Sequence, residues 1–465
     1  MKDTIRIELI DQLGADKVLT ESGLKERYNH IWRMDKSLQA KAVVLPTSTK
    51  EVAVILKICH QHHQVISIHG GLTNLVGSTE THGNEVVISM EKMNKIVEVD
   101  EKSRTMTVQA GAILENVQQT AAAKNLLFPL NFGAKGSAQI GGAISTNAGG
   151  LQVFRFGMMR NLVLGLEAVL ADGTVISSVK KIIKDNSGYD LKQLFIGSEG
   201  TLGVITKAVL KLMEAPKSRN SAFVAFDNYE KVVQFLKYMD SGLAGTLSGF
   251  ELIWGTTYQA MTAPPAAAKP PIPHGYEYYV LLESLGSHQE KDHAVLEDLL
   301  AQAFENELIA DAALAHTEAD LTWFWTIRED VHVLKSQCQF DHHFDISLPI
   351  PLIGEVLDNL NQELKKLEGV EKVFTFGHVA DGNIHIVVDR QTTESSLIET
   401  INAIVYSPLQ AIGGSISAEH GIGLHKKNYL HLCRTSEEIQ LMRTMKMALD
   451  SRGILNKGLI FDLSV

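Results

Sequence analysis

VVLPTSTKEVAVILKICHQHHQVISIHGGLTNLVGS, residues 43 to 78, reads as strand, helix and strand, ending in a glycine turn. Val43 to Pro46 has the short apolar run of a buried strand. Ser48-Thr49-Lys50-Glu51 is a capping box, which predicts a helix start and the burial of Val52, Ile55, Leu56 and Cys59 on one face. Val65 to Ile68 forms a second strand that runs into His69-Gly70-Gly71. Outward from this unit the pattern is strand-like from Val86 to Ala110 and helical from Gly111 to Lys124. Farther along, 13 of the 36 glycines fall between Gly133 and Gly203, so backbone rather than side chain is in use there, in turns or against a ligand. Glycine density falls after Pro216, which places a boundary near residue 215. Ala260 to Gly275 holds five of the 11 prolines and is expected as a surface loop of the second domain. The expected division is 1–215, 216–410 and a C-terminal segment, 411–465, that carries a helix from Ser436 to Ser451 and packs back on the first domain.

At 465 residues the chain exceeds one ordinary core and calls for two or three domains. With 45% hydrophobic and 21% charged residues it is globular rather than disordered. A formal charge of -11 argues against a nucleic-acid partner, whose phosphates need basic patches. It leaves room for a small anionic substrate, because salt screens a distant net charge beyond roughly 8 to 10 Å. Cys59, Cys338 and Cys433 are far apart and form no CxxC, so neither a thiolate zinc site nor a disulfide framework is expected. MKDTIRIELIDQLG interrupts its apolar residues with charges and gives no signal peptide, and no stretch approaches the roughly 20 apolar residues of a membrane span. The expected address is cytoplasmic.

Three loops rich in small polar residues stand in the first half: HGGLTNLVGS at 69–78, FPLNFGAKGSAQIGGAISTNAGG at 128–150 and IGSEGTLGVIT at 196–206. None has the GxGxxG spacing of a dinucleotide-binding turn, and no Walker GK[ST] occurs. A Gly-Gly turn alone serves a structural turn as well as a phosphate nest. Three such loops together favour an extended, phosphate-bearing cofactor.

In Phe374 to Val388, two alternating apolar runs flank Asp381-Gly382, a strong hairpin signal. A two-residue turn there pairs His378 directly with His385, with Cβ atoms about 4.5 to 5.5 Å apart. Two imidazoles so placed can chelate one cation, or can be a hydrogen-bonded cross-strand pair. Two histidines with a carboxylate from elsewhere make an open catalytic metal site, and Glu419 in the glycine-flanked SAEHGIG turn is the expected third ligand. Zn²⁺, Mn²⁺ and Fe²⁺ all suit that set, and zinc is the expected ion. Arg328 lies on a helical stretch beside Trp323, Phe324 and Trp325, where it can pair with Glu329 or Asp330 at the surface or grip a carboxylate bidentately.

HGGLTNLVG, QIGGAISTNAGG, KDNSGYDLKQLFIGSEGTLGVIT, FGHVADGNIHI and SAEHGIGLHKK, in this order, resemble the motif series of flavoproteins of the vanillyl-alcohol oxidase and p-cresol methylhydroxylase type. The resemblance runs over roughly residues 40 to 460 and is strongest to the branch of D-2-hydroxyglutarate dehydrogenase, D-lactate dehydrogenase and the glycolate oxidase D subunit. It implies an α+β protein with a two-subdomain FAD-binding domain and an α+β cap domain built on an antiparallel sheet. FAD contacts are expected at Gly70, Gly71, Thr73, Asn74, Gly77, Gly141, Asn147, Gly197, Glu199, Gly200 and Val204. Relatives that bind flavin covalently often carry His after the paired glycines; Leu72 stands there, so FAD is expected to be non-covalent. The resemblance makes His378, His385 and Glu419 metal ligands, Arg328 the partner of the substrate carboxylate and His420 the base that takes the hydroxyl proton.

The implied activity is oxidation of a D-2-hydroxy acid, D-2-hydroxyglutarate first, to the 2-oxo acid by hydride transfer to flavin N5. Three expected substrate contacts depart from the hydroxyglutarate pattern: His332 for a threonine, His343 for a lysine and Val387 for an asparagine. Val387 suits D-lactate, glycolate or another short or hydrophobic chain, while His332 and His343 suit a second carboxylate. A flavin subunit acting only inside a glycolate oxidase-like complex is the rival from another class. Electron-transfer flavoprotein, quinone or a cytochrome are all compatible acceptors, and a homodimer is the default assembly.

Overall fold

Ser48 caps the helix Thr49–Gln61 in the computed structural model, which describes residues 4–32, 34 and 37–463. Its hydroxyl accepts the Glu51 N–H at 3.3 Å, but the reciprocal half of the expected capping box is absent. The Glu51 carboxylate instead takes the Thr47 N–H at 2.7 Å and Lys17 Nζ at 2.6 Å, a stronger, charged partner. The helix buries Val52, Ile55, Leu56 and Cys59 as the periodicity predicts. The strands on either side are Ala42–Val44 and Ile66–His69, and both run parallel to Val86–Ser89. The apolar runs Ala42–Val44 and Val86–Ile88 follow from parallel strands being covered on both faces. The Ile66 N–H donates to Ile454 O at 2.8 Å and Ile66 O accepts the Asn456 N–H at 2.9 Å, so residues 454–456 extend this sheet beyond its outer strand.

The strand-like region beyond Val86 resolves into Val86–Ser89, Ile96–Asp100 and Thr105–Gln109, and the next helix is Leu114–Ala122. The last two strands join Val204–Lys211, Val163–Val169 and Val175–Ser178 in a five-stranded antiparallel sheet. Both sheets feed one apolar core, with Ile55, Ile66, Ile88, Met106, Val108, Ile144, Val169 and Leu210 among its members.

The chain divides into two units, one of residues 1–150, 157–215 and 419–465, the other of 151–156 and 216–418. The second is built on a seven-stranded antiparallel sheet in the order Asp311–Leu314, Ser218–Phe226, Tyr278–Gly286, Leu247–Trp254, Val370–His378, Asn383–Arg390, Phe340–Ser347. Phe226 and Phe250 face Phe235 of the helix Tyr229–Leu243 on one side, at 5.2 and 6.1 Å between ring centroids. Phe223, Ile253, Tyr279, Phe374, Phe376 and Val387 share the other side's core with the helices Gly255–Thr262 and Glu318–Glu329.

The proline-rich stretch is not all surface loop. Residues 260–262 finish a helix, and Ile272 is buried because the Tyr258 hydroxyl donates to its carbonyl at 2.9 Å and accepts its N–H at 3.2 Å. The C-terminal helix is Ser436–Leu449, opened by a full capping box between Thr435 and Glu438. Among the described residues no helix is long and apolar enough to cross a membrane.

Candidate functional site

In the first unit the glycine loops pack where the parallel strands end. A Cβ on Gly71 would lie 2.0 Å from the Ser137 carbonyl oxygen, and one on Gly141 2.7 Å from the Ala110 Cβ, so only glycine permits these approaches. Beside them a cavity of about 510 Å³ opens at the carboxyl ends of Ala42–Val44, Ile66–His69 and Val86–Ser89, lined by Val43, His69, Gly70, Gly71, Ser89 and Gln139 among others. Ligands in open parallel sheets bind at such ends. His69 Nε2 and Gln139 Oε1 are buried on this cavity and have no hydrogen-bond partner among the described residues. Buried polar atoms are normally satisfied, so this pair offers one acceptor each to a ligand. Burial pushes His69 down to about 3, with Arg27 and His30 adding to the effect and a hydrogen bond with the Thr79 backbone opposing it, so its ring is neutral.

Other expected cofactor residues support the loops. Asn74 takes the Ser78 N–H at 2.9 Å and donates to Thr79 Oγ1 at 2.6 Å, and the Thr73 carbonyl accepts Trp32 Nε1 at 3.1 Å. Gly77, at φ 75°, leaves the space into which His425 fits. Asn147 takes the Arg160 N–H at 2.9 Å. Gly197, Glu199 and Gly200 are all left-handed, at φ 80°, 51° and 70°, and a Cβ on Gly200 would meet Asn456 Nδ2 at 2.8 Å. Val204 is buried at the start of its strand. The Glu199 carboxylate is buried and accepts the N–H groups of Ile422 and Gly423 at 2.7 and 2.9 Å, within the turn that carries Glu419 and His420. Burial raises the affinity of Glu199 for a proton against these hydrogen bonds, and burial prevails.

In the second unit the hairpin departs from its expected register. Val379–Asp381 is a 3₁₀ turn closed by Gly382 at φ 83°, so the connection is longer than two residues and His385 pairs with Phe376, not His378. The slip is two residues, which keeps the histidines on one face, and their rings stand 5.4 Å apart at 89°. Each imidazole has a buried carboxylate beside it. Glu251, the ladder partner of His378, sits with Oε1 2.6 Å from His378 Nδ1, and Asp345, the partner of His385, lies 3.9 Å from His385 Nδ1. Asp345 also accepts Asn383 Nδ2 at 2.8 Å and the Ala418 N–H at 3.1 Å, one residue before Glu419 in sequence.

Arg328 is buried at the end of Glu318–Glu329 and pairs with neither Glu329 nor Asp330. Its Nε donates to Glu251 Oε2 at 2.8 Å, and its guanidinium lies 4.8 Å from the centre of the Phe376 ring. Burial alone would raise the Glu251 carboxyl, but the charges of His378 and Arg328 and their hydrogen bonds hold it below the usual carboxylate range. His332 is exposed on Val331–Ser336; His343 is exposed with Nε2 2.6 Å from Asp341 Oδ2; Val387, its ladder partner, is buried in the apolar core. Glu419 and His420 belong to the first unit. Sequence reasoning missed Glu251, whose one visible signal is a lone acid inside the apolar strand LSGFELIW, and Asp345, which lies among other polar residues in FDHHFDIS.

Residues 215–460 match the family described as FAD linked oxidases, C-terminal domain, and residues 40–178 match the FAD binding domain. The mitochondrial D-2-hydroxyglutarate dehydrogenase of Bos taurus is 35% identical over 447 residues, 96% of this chain and 81% of that protein. The D-2-hydroxyglutarate–pyruvate transhydrogenase of Saccharomyces cerevisiae is 33% identical over 453 residues, 96% of this chain and 91% of that one. The solved structure of p-cresol methylhydroxylase with substrate bound matches with a TM-score of 0.76 at 16% identity, over 99% of this chain and 97% of that one, which shows the fold. The chain is therefore an FAD-binding oxidoreductase that belongs to the FAD-linked oxidases, in the branch of the D-2-hydroxyacid dehydrogenases.

Proposed function

We propose that this chain oxidises a D-2-hydroxy acid, D-2-hydroxyglutarate first, to the 2-oxo acid, with non-covalent FAD as the immediate electron acceptor and a divalent cation, zinc first, at the substrate. The observation that carries the reading is the face of the second unit's sheet where Arg328 and the His378–His385 pair stand over buried carboxylates. A fixed guanidinium beside two orientable imidazoles suits an α-hydroxy carboxylate. The close glycine approaches suit a cofactor carrying a diphosphate, and the acceptors His69 Nε2 and Gln139 Oε1 suit donor groups such as its sugar hydroxyls.

When bound, FAD supplies the two-electron sink, and the cation supplies a Lewis acid at the hydroxyl oxygen. His378 and His385 would hold that cation with Glu419 as the third ligand. Arg328 grips a carboxylate through its Nη groups and so orients C2. His420 takes the hydroxyl proton, for which an imidazole is suited near neutral pH.

The test is a panel of D- and L-2-hydroxy acids scored anaerobically by bleaching of the flavin spectrum. D-2-hydroxyglutarate should reduce the flavin fastest, and the L-isomers should leave it oxidised. Faster reduction by D-lactate would move the substrate to a short or hydrophobic acid. A flavin that no hydroxy acid bleaches would overturn the activity and favour a subunit of a larger complex.

A further inference from the structure

We propose that Glu251 is a positioning residue for both halves of the site, one carboxylate oxygen setting the tautomer of His378 and the other fixing the guanidinium of Arg328. The inference rests on reading His378 as a metal ligand. Glu251 lies in Leu247–Trp254, a strand whose eight residues are all buried, and it is itself wholly buried. An acid there has no access to water and keeps its charge only through its partners. Among the described residues it has two: His378 Nδ1 at 2.6 Å on Oε1 and Arg328 Nε at 2.8 Å on Oε2.

A carboxylate only accepts, so the nitrogen facing it must carry the proton. In a neutral imidazole that leaves the lone pair on Nε2, the form that ligates a cation. The same carboxylate takes the Nε–H of Arg328, so the outer edge of the guanidinium is the part left for a substrate carboxylate. Arg328 and His378 thus cannot shift independently, because each is held through one shared group.

Glutamine at this position keeps the volume and loses one acceptor. If its oxygen faces Arg328, its amide donates to His378 Nδ1 and drives the ring proton to Nε2, which removes the ligand nitrogen. If it is turned the other way, two donors meet at Arg328. In Glu251→Gln, Zn²⁺ affinity, measured by competition with a chromophoric chelator, should fall by on the order of 10- to 100-fold, with the FAD-to-protein ratio unchanged. His378→Asn run in parallel separates the two ideas. Loss of Zn²⁺ binding in His378→Asn with wild-type binding in Glu251→Gln overturns the role of Glu251 and leaves the ligand assignment standing. Wild-type binding in both removes the ligand assignment itself. Nitrogen NMR of histidine-labelled, metal-free wild type, with His378→Asn to assign the signal, gives a reading that depends on no Glu251 variant. The Nδ1–H tautomer is expected at His378, and the Nε2–H tautomer overturns the proposal.

Discussion

Oε1 of Glu199 accepts the backbone N–H of Ile422 at 2.7 Å across 223 residues of sequence, and its other oxygen takes the N–H of Gly423 at 2.9 Å. A single buried carboxylate therefore shapes the turn that presents Glu419 and His420. Glutamine can serve one of these donors and opposes the other with its own amide hydrogens, an unsatisfied buried contact worth about 1–3 kcal/mol. Glu199→Gln should lower the melting temperature by several degrees and slow flavin reduction. Calorimetry and anaerobic stopped-flow check the two arms.

Gly71→Ala places a methyl 2.0 Å from the Ser137 carbonyl oxygen, closer than any van der Waals contact. The two loops must separate at a cost of about 1–3 kcal/mol. The variant should purify with far less flavin than wild type, read from the ratio of visible to ultraviolet absorbance. Wild-type flavin content would remove these loops from the cofactor site.

His420→Ala should keep its flavin and reduce it on the order of 10²-fold more slowly with hydroxy acid. Unchanged anaerobic reduction would show that the base is another group.

Removing divalent metal with a chelator should leave the flavin bound and abolish its reduction by hydroxy acids, and added Zn²⁺ should restore it. An oxidase of aryl alcohols or sugars on the same fold would keep its rate. Metal analysis together with the reduction rate distinguishes the two.

Stability should fall on mild acidification. Burial holds His69 down at about 3, and burial, with Arg390 and His343, holds His342 at about 4, both below the ordinary value of 6.5. The unfolded chain therefore takes up protons below pH 6.5 that the folded chain refuses. The stabilisation is complete above that pH and is lost as pH falls toward 4 and 3, at up to about 1.4 kcal/mol per pH unit per histidine. The melting temperature should drop between pH 7 and 5, and His342→Asn should flatten the drop.

The strand–helix–strand opening was legible because its periodicity is local, and Val52, Ile55, Leu56 and Cys59 are buried as the spacing requires. The hairpin was legible in part. Asp381-Gly382 marks the bend, but Val379 to Asp381 coil into a 3₁₀ turn, which only the packing around them decides. The histidines stay on one face because a strand repeats every two residues and the slip was two. Glu251 was not legible, since its partner His378 lies 127 residues away and nothing next to it in sequence marks a functional acid. Arg328 was found, but its partner was not, because the acids nearest in sequence, Glu329 and Asp330, are not the ones nearest in space.

The strand that leads into Gly70-Gly71 finds its outer neighbours at Ile454 and Asn456, and the Ile68 N–H reaches Asn456 Oδ1 at 2.9 Å across 388 residues. Chains emerge from the ribosome N-terminus first, so this edge stays open until residues 454–456 have been made. The strand that enters the glycine turn therefore gains its outer neighbour only after the 388 residues from Ile68 to Asn456 have been made. A chain stopped short of Ile454 leaves that strand's edge bare, a surface that invites pairing with other chains.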